Sequence, residues 1–305
     1  MYFPYFRGRQ YELLALKELV QKGLISSCVI PVVEPIKISS TLKSTIQAFE
    51  KSKLKFAMIN NPAVGDFADS DITQLLNMES TSIIPAVIFN ESAEGTINAL
   101  IEKGVFPTQI LAILSSQDYV EDYKGIYYND SPAYVLFPDA RQMRRAVKNN
   151  KVLFEDKFNK QAKNSDYCKC VDEPFSEDHL FFREEGYVGF GDYSMIGDNY
   201  EEGGFSPRAV AIHIVYFSDD NRLRVHHFVS DSNYDTNDVA GKFYEAVTKL
   251  SDWYNTINQD QETDALKTLL DYSKKGYYPG LPTIKKLSIM HHLELVNKFL
   301  LKEVN

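Results

Sequence analysis

Arg7 and Arg9 in YFRGRQ, Glu34 in VVEPIK, and Asp192 with Tyr193 in GYVGFGDYS are the residues whose types best fit ligand-holding or reactive work. An arginine offers a planar fork of donors that matches a phosphate or a carboxylate. A carboxylate nearby can act as a general base or bind a cation. Glu34 stands before a proline at the end of an apolar run, where helix capping has no use for it. Gly8, between the two arginines, lets a ligand or another backbone approach closely. The arginines can equally form ion pairs with Glu34 or Asp192, and the two roles are compatible.

All these residues follow short apolar runs, and other polar residues do the same: Lys37, Asn60 with Asn61, Asn90, Asp139, and Glu155 with Asp156 and Lys157. The expected site is therefore composite. Glu34, Asp192, Tyr193 and His213 are its candidate catalytic groups. Arg7, Arg9, Asn60, Asp139, His227 and His291 are candidate ligand contacts, and Asp156 and Asp231 candidate metal ligands. The cofactor is unknown; a divalent cation bridging a phosphate ester is the one this set suggests. Plainer roles exist: Asp139 reads as a cap for the helix ARQMRRAV, and Asn60-Asn61-Pro62 as a turn.

Five of the six histidines, His213, His226, His227, His291 and His292, come after residue 200. In a hairpin, His213 faces away from Ile212 and Ile214, and one of His226 and His227 shares its surface. With Asp231 such histidines suggest a metal site or a solvated pair. His291 and His292 are adjacent on a helix, diverge by about 100° and cannot both face one ion; His292 falls on the apolar stripe. No G-x-S-x-G elbow, P-loop or complete dinucleotide glycine pattern occurs. Cys28, Cys168 and Cys170 make neither a disulfide framework nor a four-ligand zinc site, and Cys168 with Cys170 reads as an exposed pair in a charged loop.

What would bring distant polar residues together is a parallel sheet. Eight apolar runs, 2–6, 28–33, 55–59, 83–89, 110–114, 133–137, 151–154 and 187–190, alternate with helical or polar segments. Strands without a wet face imply a parallel sheet covered on both sides, and eight of them imply a (β/α)8 TIM-like barrel whose strand ends share one mouth. An open doubly wound α/β sheet is the alternative. The expected layout is a single barrel domain over 1–305, with a hairpin at 206–231 over the mouth and C-terminal helices at 236–305 packed on the barrel.

The length of 305 residues and 44% hydrophobic content suit a large core, and the net charge of -9 opposes bulk binding to nucleic acid or anionic membrane. Arg141, Arg144, Arg145 and Lys148 form a local basic run, read as a solvated helix face. Without an apolar leader or an 18-residue apolar run, a cytoplasmic protein without a membrane partner is expected.

MYFPYFRGRQYELLALKEL, IPVVEP, GFGDYS, AIHIVY with VHHFVSD, and LPTIKKLSIMHHLELV together resemble an uncharacterised bacterial family, the beta family proteins, over nearly the whole chain. That resemblance implies a gene in a mobile or defence-like neighbourhood, a nuclease-like partner encoded nearby, and a part in anti-phage defence or phage–host conflict. It carries no established reaction. The strand-end residues point to an enzyme or sensor for a small anionic ligand such as a nucleotide or phosphate ester, a metal-assisted hydrolase or phosphodiesterase being one form; the alternatives are a noncatalytic partner of a nuclease and, third, nucleic-acid binding through the local basic run at residues 141–148.

Overall fold

The structure, a computed structural model, describes residues 1–67, 73–78, 80–200, 207–256 and 261–304. Residues 71–72 of the segment DITQLLNM, which reads as helical, residue 206 of the expected hairpin, and residues 257–260 and 305 of the expected C-terminal helices lie outside the described residues. The chain forms two compact units, 1–156 with 178–193, and 157–177 with 194–305.

The first unit is a nearly closed barrel of eight parallel strands in the order expected. The strands are β1 (Tyr5–Phe6), β2 (Val32–Val33), β3 (Phe56–Ile59), β4 (Ile83–Ile88), β5 (Leu111–Ile113), β6 (Tyr134–Phe137), β7 (Lys151–Phe154) and, after β8 (Asp172–Ser176) of the second unit, β9 (Gly189–Gly191). The ring joins across its ends: Phe3 N–H donates to the Phe190 carbonyl at 2.8 Å, and Tyr5 N–H to the Asp192 carbonyl at 2.8 Å. Between strands lie helices α1 (Gln10–Gln21), α2 (Ser40–Ser52), α3 (Thr73–Leu76), α4 (Ala93–Glu102), α5 (Val120–Ile126), α6 (Arg141–Ala146) and α7 (Asp178–Phe181). The third, fifth, sixth and seventh are short; after the fifth strand the sequence is turn-rich, and after the seventh it is irregular.

Alternation along each strand decides which side chains fill the barrel. Phe3, Tyr5, Val32, Ala57, Ile59, Ala86, Leu111, Ile113, Leu136, Val152 and Phe154 form one interior cluster. On β9 the inward positions are Gly189 and Gly191, because Phe3 and Phe154 already occupy that space: a Cβ on Gly191 would overlap the Phe3 carbonyl oxygen.

The second unit holds an antiparallel sheet in the order β10 (Ala211–Phe217), β11 (Leu223–Val229), β8. The hairpin forms between 211 and 229, within the expected stretch, but β8 was not foreseen, since DEPFS has neither alternation nor β-branched residues and carries Pro174 at a sheet edge. Helices α8 (Val239–Tyr254), α9 (Asp264–Lys275) and α10 (Leu281–Val304) belong to this unit. Asp238 and Thr263 cap the first two, accepting from Gly241 N–H at 2.9 Å and Leu266 N–H at 3.2 Å. Among the described residues no helix is long and apolar enough to cross a membrane.

Candidate functional site

At the C-terminal end of the barrel, Glu34 sits fully buried on the inward side of β2. Its carboxylate accepts from Tyr5 Oη at 2.6 Å, from Ala63 N–H at 2.7 Å and from the Arg7 guanidinium in an ion pair. Arg7 also donates to Tyr5 Oη at 3.2 Å, and its guanidinium carbon lies 5.0 Å from the Tyr5 ring centre and 5.7 Å from that of Tyr193. Tyr193 in turn packs 4.9 Å from both Tyr5 and Phe154. Tyr5, Arg7, Glu34 and Tyr193 are thus one cluster at the mouth. Burial and the Glu34 charge push the Tyr5 phenol far above its ordinary value, so it stays protonated and donates. Burial pulls the Arg7 guanidinium down, but Tyr5 and Glu34 outweigh it and hold the net shift upward.

Gly8 has a φ of +65°, and a Cβ there would meet the Glu34 carbonyl oxygen at 3.0 Å and the Pro35 Cα at 3.1 Å. The close approach foreseen at this glycine is therefore by backbone. Arg9 stands at the N-cap of α1, where its N–H donates to the Glu12 carboxylate at 3.3 Å.

Asn60, Asp139 and Asp192 are placed elsewhere, and the pleat is the reason. Each shares the parity of an outward residue, Met58, Phe137 and Phe190 respectively, none of which belongs to the interior cluster. Asp192 accepts from Tyr2 Oη at 2.9 Å, and Tyr2 stacks on Phe190 with ring centres 5.1 Å apart. Burial, then Asp192, raises the Tyr2 phenol well above its usual value. Asp139 is not the cap of α6, whose N-cap is Ala140; it accepts from Tyr187 Oη at 2.9 Å and pairs with Arg144 at 3.1 Å. Asn60 is buried, its Oδ1 has no hydrogen-bond partner, and it lines an outer cavity of about 710 Å³ with Met58, Ile83 and Pro85. Asn61 spans the gap to β4, donating to the Ile88 carbonyl at 2.7 Å and accepting from Ile88 N–H at 2.8 Å. Asp156 is exposed, as are Arg141, Arg144, Arg145 and Lys148.

The remaining candidates lie in the second unit. His213 and His227 are cross-strand partners whose Nδ1 atoms are 2.7 Å apart, and His227 Nε2 lies 3.1 Å from the Glu173 carboxylate. Phe158 and Tyr167 wall the pair, with Tyr167 4.6 Å from each imidazole. Burial and the neighbouring His227 push His213 down to about 3, and burial lowers His227, so both are neutral at pH 7. His226 faces the other way, 3.0 Å from Asp172, which also accepts from Tyr216 at 2.7 Å and Arg224 at 2.6 Å. Asp231 does not join the histidines; it is exposed and pairs with Lys249 at 2.7 Å.

His291 is committed internally. Its Nε2 is 2.7 Å from the Val215 carbonyl and so donates, which leaves Nδ1 to accept from Thr263 Oγ1 at 2.7 Å. Burial pushes this imidazole down to about 4. His292 is buried too, 3.0 Å from Ser194 Oγ and edge-on to Phe175.

Tyr5 is the mouth residue that the sequence reading left out, because it sits inside an apolar run and reads as core. Its signal was parity: Tyr5 and Arg7 are two apart and must share a face. A parallel α/β barrel with a buried ionic cluster at its C-terminal end is the class of protein that fold and site define. No protein-family model, curated protein or solved structure matches the chain.

Proposed function

We propose that the first unit binds a small anion at the barrel mouth, with Arg7 as its anchor and a phosphate ester such as a nucleotide as the class of ligand. The observation that carries this reading is the placement of Arg7 itself. It is held by Glu34, bracketed by Tyr5 and Tyr193, and still 13% open to solvent at the strand ends. Barrel enzymes and binders use that face because every strand delivers a side chain there. A guanidinium whose orientation is fixed loses little freedom when an anion arrives.

Glu34 serves as a positioning residue in this reading: with Tyr5, Ala63 and Arg7 already on its oxygens, it orients the cation. Given the resemblance to beta family proteins, the ligand would act in phage–host conflict, alongside a nuclease-like partner. Calorimetric titration of the full chain with inorganic phosphate, and separately with adenosine monophosphate, tests the proposal. Saturable binding is expected, weakened at least tenfold in the double variant Arg7→Gln, Glu34→Gln, which leaves no single charge buried. Equal binding by that variant, or none by the wild type, overturns it; retained cellular function in the variant would favour a noncatalytic partner.

A further inference from the structure

Cys170, Glu173 and His227 form a cluster of donor atoms in the second unit that the barrel mouth does not use. The Cys170 Sγ, a Glu173 carboxylate oxygen and a ring nitrogen of His227 all lie within 4.8 Å of one another. Ligands of a tetrahedral zinc ion, at 2.0–2.3 Å from the metal, stand roughly 3.5 Å apart, so small side-chain rotations close the gap.

Sheet register explains the meeting. Glu173 is paired with Val225, and His227 N–H donates to the Val171 carbonyl at 2.7 Å, so Glu173 and His227 are diagonal neighbours on one face. Cys170 ends the short turn at Asn164–Lys169, just before β8 begins. His213 adds its imidazole from β10 directly opposite His227. Cys170 and Glu173 are partly exposed while His227 is buried, which gives the cluster a wet side and a fixed side. His227 also lines a small cavity of about 160 Å³.

We propose that Cys170, Glu173 and His227 bind a thiophilic divalent ion of the zinc class, with water as fourth ligand and His213 as a positioning residue behind His227. A thiolate, an imidazole and a carboxylate suit zinc or cobalt and disfavour magnesium and calcium, which select oxygen. Without metal, the Glu173 carboxylate can only accept, so His227 carries its proton on Nε2 and accepts from His213 at Nδ1. On ligation the Nε2 lone pair turns to the ion. His227 then carries its proton on Nδ1 and donates to His213, whose own proton moves to Nε2; each imidazole keeps one proton. The Cys170 thiol proton leaves to solvent. A ligating histidine whose far nitrogen is held by such a partner is the arrangement that fixes ring orientation at metal sites.

Titration of the reduced, chelator-treated full chain with Co2+ tests the site. The expected result is saturation near one equivalent, with a thiolate-to-cobalt charge-transfer band and four-coordinate visible bands that Zn2+ abolishes. Cys170→Ser should remove the charge-transfer band, and Glu173→Gln or His227→Asn should weaken binding at least tenfold. His213→Asn should weaken it about 10–100-fold while the band stays in place, as for other outer-shell partners. Cys168→Ser should change nothing. Urea unfolding of each metal-free variant identifies any that fail to fold, and the partly exposed Cys170 and Glu173 supply variants that keep the test decisive. Absence of the band in the wild type, its persistence in Cys170→Ser, or its loss in Cys168→Ser would overturn the proposal.

Discussion

Asp192 and Tyr193 are adjacent in the chain and serve opposite sides of the barrel wall: Tyr193 packs on Tyr5 and Phe154 within the mouth, while Asp192 accepts from Tyr2 on the outer side. Because the Asp192 carbonyl also receives Tyr5 N–H, this residue fastens the last strand to the first. Tyr2→Phe removes one hydrogen-bond donor from a buried carboxylate. The expected loss is about 1.5–3 kcal/mol, the range for hydrogen bonds to charged groups. Urea unfolding measures it, and phosphate affinity should not change; a variant of full stability with lost affinity would return Asp192 to the mouth.

Glu34→Ala alone strands the Arg7 guanidinium, the Tyr5 hydroxyl and Ala63 N–H without their common acceptor. A cost of about 3–5 kcal/mol is expected, as for breaking a buried pair from one side. The double variant Arg7→Gln, Glu34→Gln should cost clearly less. Denaturant unfolding of both variants ranks them, and the reverse ranking would mean that the pair is not coupled.

Two glycines should respond in opposite directions to alanine. Gly191→Ala places a Cβ against the Phe3 carbonyl and the Phe154 ring, neither of which can move without opening the closure, so the barrel should be severely destabilised or fail to fold. Gly95→Ala, in α4 with open space around its Cβ, should stabilise by about 0.5–1 kcal/mol. Melting temperatures of the two variants decide this.

In the second unit, the buried His291 titrates near pH 4 when folded and near its ordinary 6.5 when unfolded. The unfolded chain therefore binds more protons between those values, and stability falls as the pH drops through that window. Above about 6.5 the contribution is complete. Trp253, the one tryptophan in the chain, reports from α8 of the same unit. His291→Gln, which keeps a donor and an acceptor, should flatten the slope of its urea midpoint between pH 6.5 and 4; an unchanged slope would place the sensitivity elsewhere.

The barrel was readable because parallel strands buried on both faces announce themselves as apolar runs, and each expected run contains or overlaps an observed strand. The mouth was only half readable. Glu34 and Arg7 were found at strand ends, but strand ends alone do not say which way a side chain points, and one residue of offset sends Asn60, Asp139 and Asp192 outward. Tyr5 passed as core. The Cys170, Glu173 and His227 cluster depends on β8, a polar strand with a proline whose pairing partner lies far along the chain, and local pattern carries no trace of that pairing.

Anion binding at Arg7 is tested most directly by following its Nε–Hε resonance in a 15N-labelled full chain during titration with inorganic phosphate. A saturable shift of that resonance, with the Arg9 and Arg144 resonances unmoved, is the expected result. A stationary Arg7 resonance, or equal shifts at all three arginines, would contradict a phosphate-binding barrel mouth.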